Sequence, residues 1–189
     1  MILKLGMGKT VQEFEIPEKN IQDILMPNEV SYGLKGAAEV RRALRSPTGS
    51  PRLGQIVKPG EKIVLITSDV TRPMPSAVVL PAVLEELCEA SVKEEQITVV
   101  FALGSHRRHT EEEKKRLAGE EVYSRVRCVD SDPLDCVCMG KTAQGTPVEI
   151  TRVVAEADRR ICLGNIEYHY FAGYSGGAKA VMPGVSTRA

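Results

Sequence analysis

The sequence predicts an α/β fold in which helices flank a mostly parallel sheet, with a β-hairpin at the N-terminus. Continuous apolar runs at 62–66 and 97–103 are typical of strands that are buried on both faces, as in parallel sheets. Each run leads through a polar turn into a segment of helical periodicity. Because strands that alternate with helices pair in parallel through right-handed crossovers, we expect a Rossmann-like arrangement.

The N-terminal part of the chain contains the predicted hairpin and one helix. Residues 1–16 alternate apolar and polar side chains around Gly6 and Gly8, which predicts two short antiparallel strands. A helix is expected at 36–45, and the segment 46–51, with two prolines and a glycine, ends it. Nothing in this part of the chain indicates chemistry.

Two strand-turn-helix units follow. In the first, Ser76 is expected to cap a helix, and Pro81 is expected to weaken or shift the start of that helix. In the second, Thr110 and Glu113 form a capping box for a helix that Gly119 ends. Further short strands are predicted at 126–129, 135–139 and 160–164, with a hairpin-like segment at 141–150.

Composition argues against several classes of function. The 25 basic residues balance 25 acidic ones, so no global field attracts nucleic acid or an anionic membrane surface. No apolar run approaches the roughly 18–20 residues that cross a bilayer, and the N-terminus lacks the pattern of a signal peptide. We therefore expect a soluble, cytoplasmic protein without nucleic-acid or membrane partners.

The five cysteines are interpreted as reduced thiols. Cys88, Cys128 and Cys162 have apolar neighbours, as small core residues do, and Cys136 and Cys138 alternate as in a strand. A Cys-x-Cys pair can bind a metal, but no second pair or nearby histidine completes a structural zinc set.

Three polar clusters, which begin at Ser68, Gly104 and Asn165, each follow the carboxyl end of a predicted strand. Ligands of parallel sheets bind outside these ends. The clusters are therefore expected to converge on one site.

Asp69 and Arg72 belong to the first cluster. A functional interpretation has Arg72 binding a carboxylate or phosphate while Asp69 positions a hydroxyl or a histidine. In the alternative interpretation, Asp69 caps the turn and pairs with Arg72. These two residues by themselves leave both interpretations open.

The second cluster contains two histidines. Because an imidazole titrates near neutrality, a histidine at a strand end that opens on a cleft is a candidate proton donor or acceptor. His106 is nearest the strand end and is the candidate. Arg108 and His109 are interpreted as parts of a solvated basic turn.

The third cluster superficially resembles the phosphate-binding loop of nucleoside triphosphatases. Lys179 follows an alanine rather than a glycine, and Ala180 replaces the Ser or Thr that holds magnesium, so triphosphate chemistry is disfavoured. The amides of Gly176 and Gly177, before a short helix, can still receive a single phosphate. Lys179 then neutralises an anion or acts as an amine nucleophile. The alternative is a tight glycine turn with a surface lysine.

Three ordered segments, 68–75, 104–110 and 169–184, make the sequence similar to the N-terminal part of the lactate racemase family. This family comprises the nickel-pincer-nucleotide-dependent racemases and epimerases of 2-hydroxy acids. The resemblance extends from about residue 58 to the end of the chain and is weaker in the N-terminal hairpin.

The resemblance implies a pyridinium mononucleotide that carries nickel among sulfur and carbon donors and is attached covalently through Lys179. His106 and His169 match the histidines that exchange the hydroxyl proton of the substrate. Asp69 and Arg72 match positions that line the cofactor and substrate site, with the guanidinium suited to the substrate carboxylate. Hydride would leave the α-carbon for the cofactor, giving a planar 2-keto acid, and would return to either face.

The chain departs from the family in one respect. The protein-derived nickel ligand of the family is a histidine beyond its cofactor lysine, and no histidine follows His169 here. That ligand is expected beyond Ala189. We expect 1–189 to be the N-terminal catalytic, cofactor-anchoring domain of a longer enzyme, inactive by itself. Its expected partners are a 2-hydroxy acid, a C-terminal domain and the enzymes that make the cofactor.

Two alternatives come from other classes of function. One is a non-catalytic phosphate- or nucleotide-binding α/β module that uses the glycine turn and Lys179 as an anion cradle. The other is a small metal-binding protein that uses His106, His109 and the cysteines.

Overall fold

The structure is a computed structural model that describes residues 1–170 and 173–187. The chain divides into two compact units, Met1–Gly33 and Leu34–Ala189. The helices are α1 Gly36–Arg45, α2 Leu53–Ile56, α3 Ser76–Glu89, α4 Glu111–Ala118, α5 Glu120–Arg125 and α6 Arg152–Ala155. The strands are β1 Ile2–Met7, β2 Thr10–Glu15, β3 Ile63–Ser68, β4 Ile97–Ala102, β5 Arg127–Asp130, β6 Cys136–Lys141, β7 Pro147–Thr151, β8 Arg159–Cys162, β9 Tyr168–His169 and β10 Gly173–Tyr174.

The first unit is built on the predicted hairpin, which is confirmed. Strands β1 and β2 pair antiparallel, with Met7 opposite Thr10. Gly8 lies between them at φ 62°, a left-handed conformation that a glycine adopts without steric cost. The amino group of Met1 donates to the carbonyl of Ile16 (2.9 Å) and closes the open end of the hairpin.

The second unit is built on a four-stranded parallel sheet in the order β5-β4-β3-β8, which confirms the predicted fold class. Alternate residues of its strands enter two cores. Leu65 and Val99 pack on one face with Leu84 of α3, whereas Ile66 and Val100 pack on the other face with α6 and β7. Burial on both faces accounts for the continuous apolar runs in the sequence.

Local capping rules predict one helix start correctly and another wrongly. At α4 the Thr110 hydroxyl accepts from the Glu113 amide (3.2 Å), and the Glu113 carboxylate accepts from the Thr110 amide (2.9 Å), so the capping box is confirmed. At α3 the hydroxyl of Ser76 instead hydrogen-bonds to that of Thr67 (2.7 Å), because both side chains are buried. The helix begins at Ser76 and continues through Pro81, so the expected shift of its start does not occur.

The cysteines are free, and their environments differ. Cys88 and Cys128 pack against the core, as predicted, and burial raises the pKa of the Cys128 thiol to about 11. The prediction for Cys162 is wrong: Cys162 is exposed, at the end of the edge strand β8.

Of the helices in the described part of the chain, none combines the length and the apolar character that crossing a membrane requires.

Candidate functional site

A cleft of about 150 Å³ lies at the carboxyl edge of the parallel sheet. Its walls include Ser68 after β3, Gly104 after β4 and Asn165 after β8, so the three polar clusters meet as their positions in the sequence predict. The remaining wall is the glycine-rich segment that leads from Ser175 to Gly184. This placement follows the general rule that parallel sheets bind ligands beyond their strand ends.

A hydrogen-bonded network joins the first two clusters inside the cleft. Nδ1 of His106 lies 2.7 Å from Oδ2 of Asp69, whose side chain is 4 % exposed. The hydroxyl of Thr71 donates to the same carboxylate (2.9 Å) and accepts from Nη1 of Arg72 (3.1 Å). Asp69 therefore does not pair directly with Arg72; the structure favours the interpretation in which it positions a hydroxyl and a histidine.

The tautomer of His106 follows from its partner. An ionised carboxylate accepts hydrogen bonds and has none to donate, so Nδ1 of His106 carries the proton in the contact with Asp69. In the neutral ring, Nε2 is then the basic nitrogen. The His106 side chain is 39 % exposed and lines the cleft.

Lys179 also lines the cleft, in a turn of 3-10 helix at Gly177–Ala180. Its ammonium nitrogen is buried and has no hydrogen-bond partner among the residues that the structure describes. A buried cation without a partner is unfavourable, because desolvation is not compensated by a hydrogen bond. The position therefore suits an anionic group that would pair with Lys179, or a covalent bond that would remove its charge.

The glycines that flank Lys179 have steric roles. A Cβ atom at Gly184 would clash with the carbonyl oxygen of Ala180 and would lie 2.9 Å from Cβ of Ala102. At Gly176, where φ is 86°, a Cβ would lie 3.0 Å from the carbonyl oxygen of Asn165. These glycines let the lysine turn approach the ends of β4 and β8 closely.

His109 corrects the interpretation of the second cluster. Arg108 is exposed and pairs with Asp132 (2.8 Å), as a solvated basic residue does. His109, in contrast, has a side chain with 0 % exposure and lies 2.6 Å from a carboxylate oxygen of Asp130. It is a buried, fully bonded histidine rather than part of a solvated turn.

Comparisons with known proteins show the family to which the chain belongs. A family model described as the lactate racemase N-terminal domain matches residues 7–189. The chain belongs to this family. It is 35 % identical to a lactate racemase of Thermoanaerobacterium thermosaccharolyticum, covering 98 % of the chain and 44 % of the relative. A lactate racemase of Lactiplantibacillus plantarum is 34 % identical, with 98 % of the chain and 45 % of the relative covered.

Solved structures agree with the fold. The lactate racemase apoprotein from T. thermosaccharolyticum matches with a TM-score of 0.82 at 33 % identity, over 99 % of this chain and 44 % of that one. A Thermotoga maritima protein matches with a TM-score of 0.62 at 22 % identity, over 80 % and 39 %, which shows the fold alone. The chain thus spans less than half the length of the racemases that it matches.

Two of the predicted site residues stay apart from the cleft. His169 is half-buried in the two-stranded ribbon of β9 and β10, with its ring stacked on that of Tyr170 at 5.3 Å. It is not among the described residues that line the cleft, and neither is Gly177. The roles of these two residues in the family site stay predictions.

Sequence reasoning missed two residues that hold the site together. The hydroxyl of Ser175 donates to the carbonyl of Asn165 (2.9 Å) and accepts from the amide of Glu167 (3.1 Å), which joins the segment after β8 to the lysine turn. Thr71 connects Asp69 with Arg72. In the sequence, a hydroxyl beside charged residues does not by itself indicate which of them it bonds.

The structure gives no support to the alternative of a small metal-binding protein. His106 and His109 contact different carboxylates, Asp69 and Asp130. Within 1–170 and 173–187, no group of three His, Cys, Asp or Glu side chains is arranged to hold a metal ion.

Proposed function

We propose that this chain is the N-terminal catalytic and cofactor-anchoring domain of an enzyme that interconverts the enantiomers of a 2-hydroxy acid, lactate or a relative. The observation that carries the proposal is the cleft in which His106, Asp69, Arg72 and the buried amine of Lys179 meet in a member of the lactate racemase N-terminal domain family. In the proposed hydride-transfer route, racemisation needs a base for the hydroxyl proton and an acceptor for hydride from the α-carbon.

His106 is the proposed base. Its Nδ1–H donates to Asp69, so Nε2 is available to take the hydroxyl proton. The negative charge of Asp69 stabilises the imidazolium that this transfer creates, and the hydroxyl of Thr71 holds the carboxylate in place. His169 is proposed to perform the same transfer for the opposite enantiomer.

Arg72 is proposed to bind the substrate carboxylate. One of its five N–H donors is used on Thr71, which leaves donors for a bidentate contact. Arg72 and His106 line the same cleft, so a carboxylate held by Arg72 would share that cleft with the proposed base.

Lys179, Gly176 and Gly177 are proposed to hold a nickel-pincer nucleotide, the lysine by a covalent bond and the glycine amides through the phosphate. Bound there, this group supplies the acceptor for hydride. The fit of the residues is supported by the buried amine of Lys179, which has no hydrogen-bond partner within the described part of the chain and would be stabilised by a charge partner or by conversion to a neutral group. No nickel ligand is assigned to the described residues.

Further partners and the location of the protein also belong to the proposal. Because the chain spans less than half the length of the racemases that it matches, a C-terminal domain is proposed to complete the site. Enzymes that synthesise the cofactor would act on the protein before it turns over substrate. The free cysteines are consistent with the reducing environment of the cytoplasm.

A second candidate function is a non-catalytic module that binds phosphate or a nucleotide. It is favoured by the same buried amine, because an anion bound without covalent chemistry would also compensate the charge of Lys179. In this function His106 and Asp69 would contribute no proton transfer.

One experiment separates the two functions. The full-length protein is co-expressed with cofactor-making enzymes, digested, and analysed by mass spectrometry, and racemisation of several 2-hydroxy acids is followed by chiral chromatography. The proposal predicts added mass on the peptide that contains Lys179 and racemisation of at least one acid. An unmodified peptide together with no racemisation would contradict it and leave the binding module.

A further inference from the structure

The buried His109 makes hydrogen bonds on both nitrogens of its ring. Nδ1 lies 2.6 Å from Oδ1 of Asp130 at the end of β5, and the His109 amide donates to Oδ2 of the same carboxylate (2.8 Å). On the other side of the ring, the backbone amide of Val70 donates to Nε2 (3.1 Å). The ring also meets Phe101 edge-on, with centroids 5.5 Å apart.

These partners determine the tautomer of His109. A backbone amide can only donate, so Nε2 accepts and carries no proton. The proton of the neutral ring is therefore on Nδ1 and is donated to Asp130. A proton on Nε2 would face the N–H of Val70 and break that hydrogen bond.

Val70 connects the pair of His109 and Asp130 to the residues of the cleft. In the sequence, Val70 lies between Asp69, which is hydrogen-bonded to His106, and Thr71, which is hydrogen-bonded to Arg72. The turn that carries them follows the end of β3 and has one hydrogen bond of its own backbone, from the Arg72 amide to the Asp69 carbonyl (3.2 Å). The hydrogen bond from Val70 to His109 therefore also joins this turn, which follows β3, to the segment that follows β4.

We infer that His109 is a positioning residue for proton transfer: Asp130 holds it in the Nδ1–H tautomer, and its Nε2 fixes the Val70 amide so that the Asp69 carboxylate faces His106. His106 and His109 are three residues apart, so one turn after β4 supplies both the base and the residue that fixes the partner of that base. The effect on turnover depends on the proposed racemase function; the effect on the Asp69 to His106 contact does not.

Two variants of His109 separate positioning from simple packing. His109→Gln places an amide oxygen near the position of Nε2 and can still accept from Val70. His109→Asn reaches only as far as Nδ1, so it can donate to Asp130 but not accept from Val70. Both remove the ring from its contact with Phe101, so both are expected to lower the melting temperature.

In the full-length, cofactor-loaded enzyme, His109→Asn should lower kcat by about tenfold or more, because small displacements of reacting groups are costly. His109→Gln should restore most of that loss. Arg108→Ala, which removes an exposed neighbour, is the control for changes in this turn and should leave kcat unchanged. Two results would overturn the inference. One is a loss of kcat in both His109 variants that follows the fall in their melting temperatures, and the other is an unchanged kcat in both variants.

A second readout does not depend on activity. In protein labelled with ¹⁵N, NMR should show His109 in the Nδ1–H tautomer and a coupling across the hydrogen bond from the Val70 amide to Nε2. The low-field proton on Nδ1 of His106, which reports the contact with Asp69, should be retained in His109→Gln and lost or shifted in His109→Asn. An unchanged His106 signal in both variants would overturn the positioning role, whether or not the enzyme racemises anything.

Discussion

The segments that follow β3 and β4 differ from the segment that follows β8 in how they hold their side chains. After β3 and β4, Asp69 is bonded to Thr71 and His106, and the loop behind it is joined to His109. After β8, Lys179 is buried without a partner among the described residues. The first region is a preformed hydrogen-bonded network around His106, whereas the second leaves a buried amine for which we propose a bound or covalently attached group.

The largest expected effect tests the second region. Lys179→Ala should abolish attachment of the cofactor and with it all turnover, because the proposed covalent bond needs this amine. Intact mass of the protein, co-expressed with cofactor-making enzymes, measures attachment. Lys141→Ala, which removes an exposed lysine from β6, is the control. If Lys179→Ala still gained the mass of the cofactor, Lys179 would not be the residue that anchors it.

The next effect tests the proton-transferring residues. His106→Ala and His169→Ala should each lower kcat by about 10²- to 10⁴-fold, the usual contribution of a general acid or base. Both proteins should keep the attached cofactor, since neither residue is proposed to bind it covalently. Chiral assays in both directions, with intact mass as the control, measure the two properties separately. Normal turnover in His169→Ala would show that His169, in the ribbon of β9 and β10, does not take part in proton transfer.

A stability effect of moderate size tests how closely the lysine turn approaches the sheet. Gly184→Ala should lower the free energy of unfolding by about 1–3 kcal/mol, as overpacking does, because its Cβ would clash with the Ala180 carbonyl and the Ala102 side chain. Urea titration measures the change. The control is Gly33→Ala, where a Cβ would meet no described atom within 4 Å; equal stability of the two variants would contradict the predicted clash.

The smallest expected effect concerns the contribution of Glu113 to stability at acid pH. The guanidinium of Arg107 and the amide of Thr110 lower the pKa of Glu113 from its ordinary value of 4.5 to about 2. Because the folded pKa is lower than the unfolded one, the stabilisation is present above about pH 4.5 and is lost as the pH falls toward 2. Glu113 is at the surface, so the contribution is small.

Glu113→Gln should therefore lower the melting temperature slightly at pH 7 and have little effect near pH 2. Melting temperatures across that range measure the difference between the two proteins. Glu112→Gln, on the exposed side of the same helix, is the matched control. A difference that grows toward low pH would have the wrong sign.

Much of the fold could be predicted because it depends on local patterns. The buried runs of β3 and β4, the Thr110 capping box and the N-terminal hairpin are each determined by residues close together in the sequence. The predictions for Ser76 and Cys162 are wrong because the environments of both residues depend on tertiary structure. The hydroxyl of Thr67 in β3 reaches Ser76, and Cys162 lies on a strand at the edge of the sheet. Neither fact is visible in a short window of sequence.

The candidate site was predictable to the same extent. The meeting of Asp69, Arg72, His106 and Lys179 at one cleft could be predicted because each belongs to a polar cluster that follows a predicted strand. His109 could not, because its partners Val70 and Asp130 are 39 and 21 residues away in the sequence. A histidine in a basic turn has the same local pattern whether it is solvated or buried.

The most direct test of the proposed chemistry is racemisation in D₂O by the cofactor-loaded, full-length enzyme. If hydride leaves the α-carbon and returns, while His106 and His169 exchange only the hydroxyl proton, the product enantiomer should carry no deuterium at C2. Mass spectrometry or proton NMR of the separated enantiomers measures this. Deuterium at C2 of the product would show that a protein base removes the α-proton, and it would contradict the proposed mechanism.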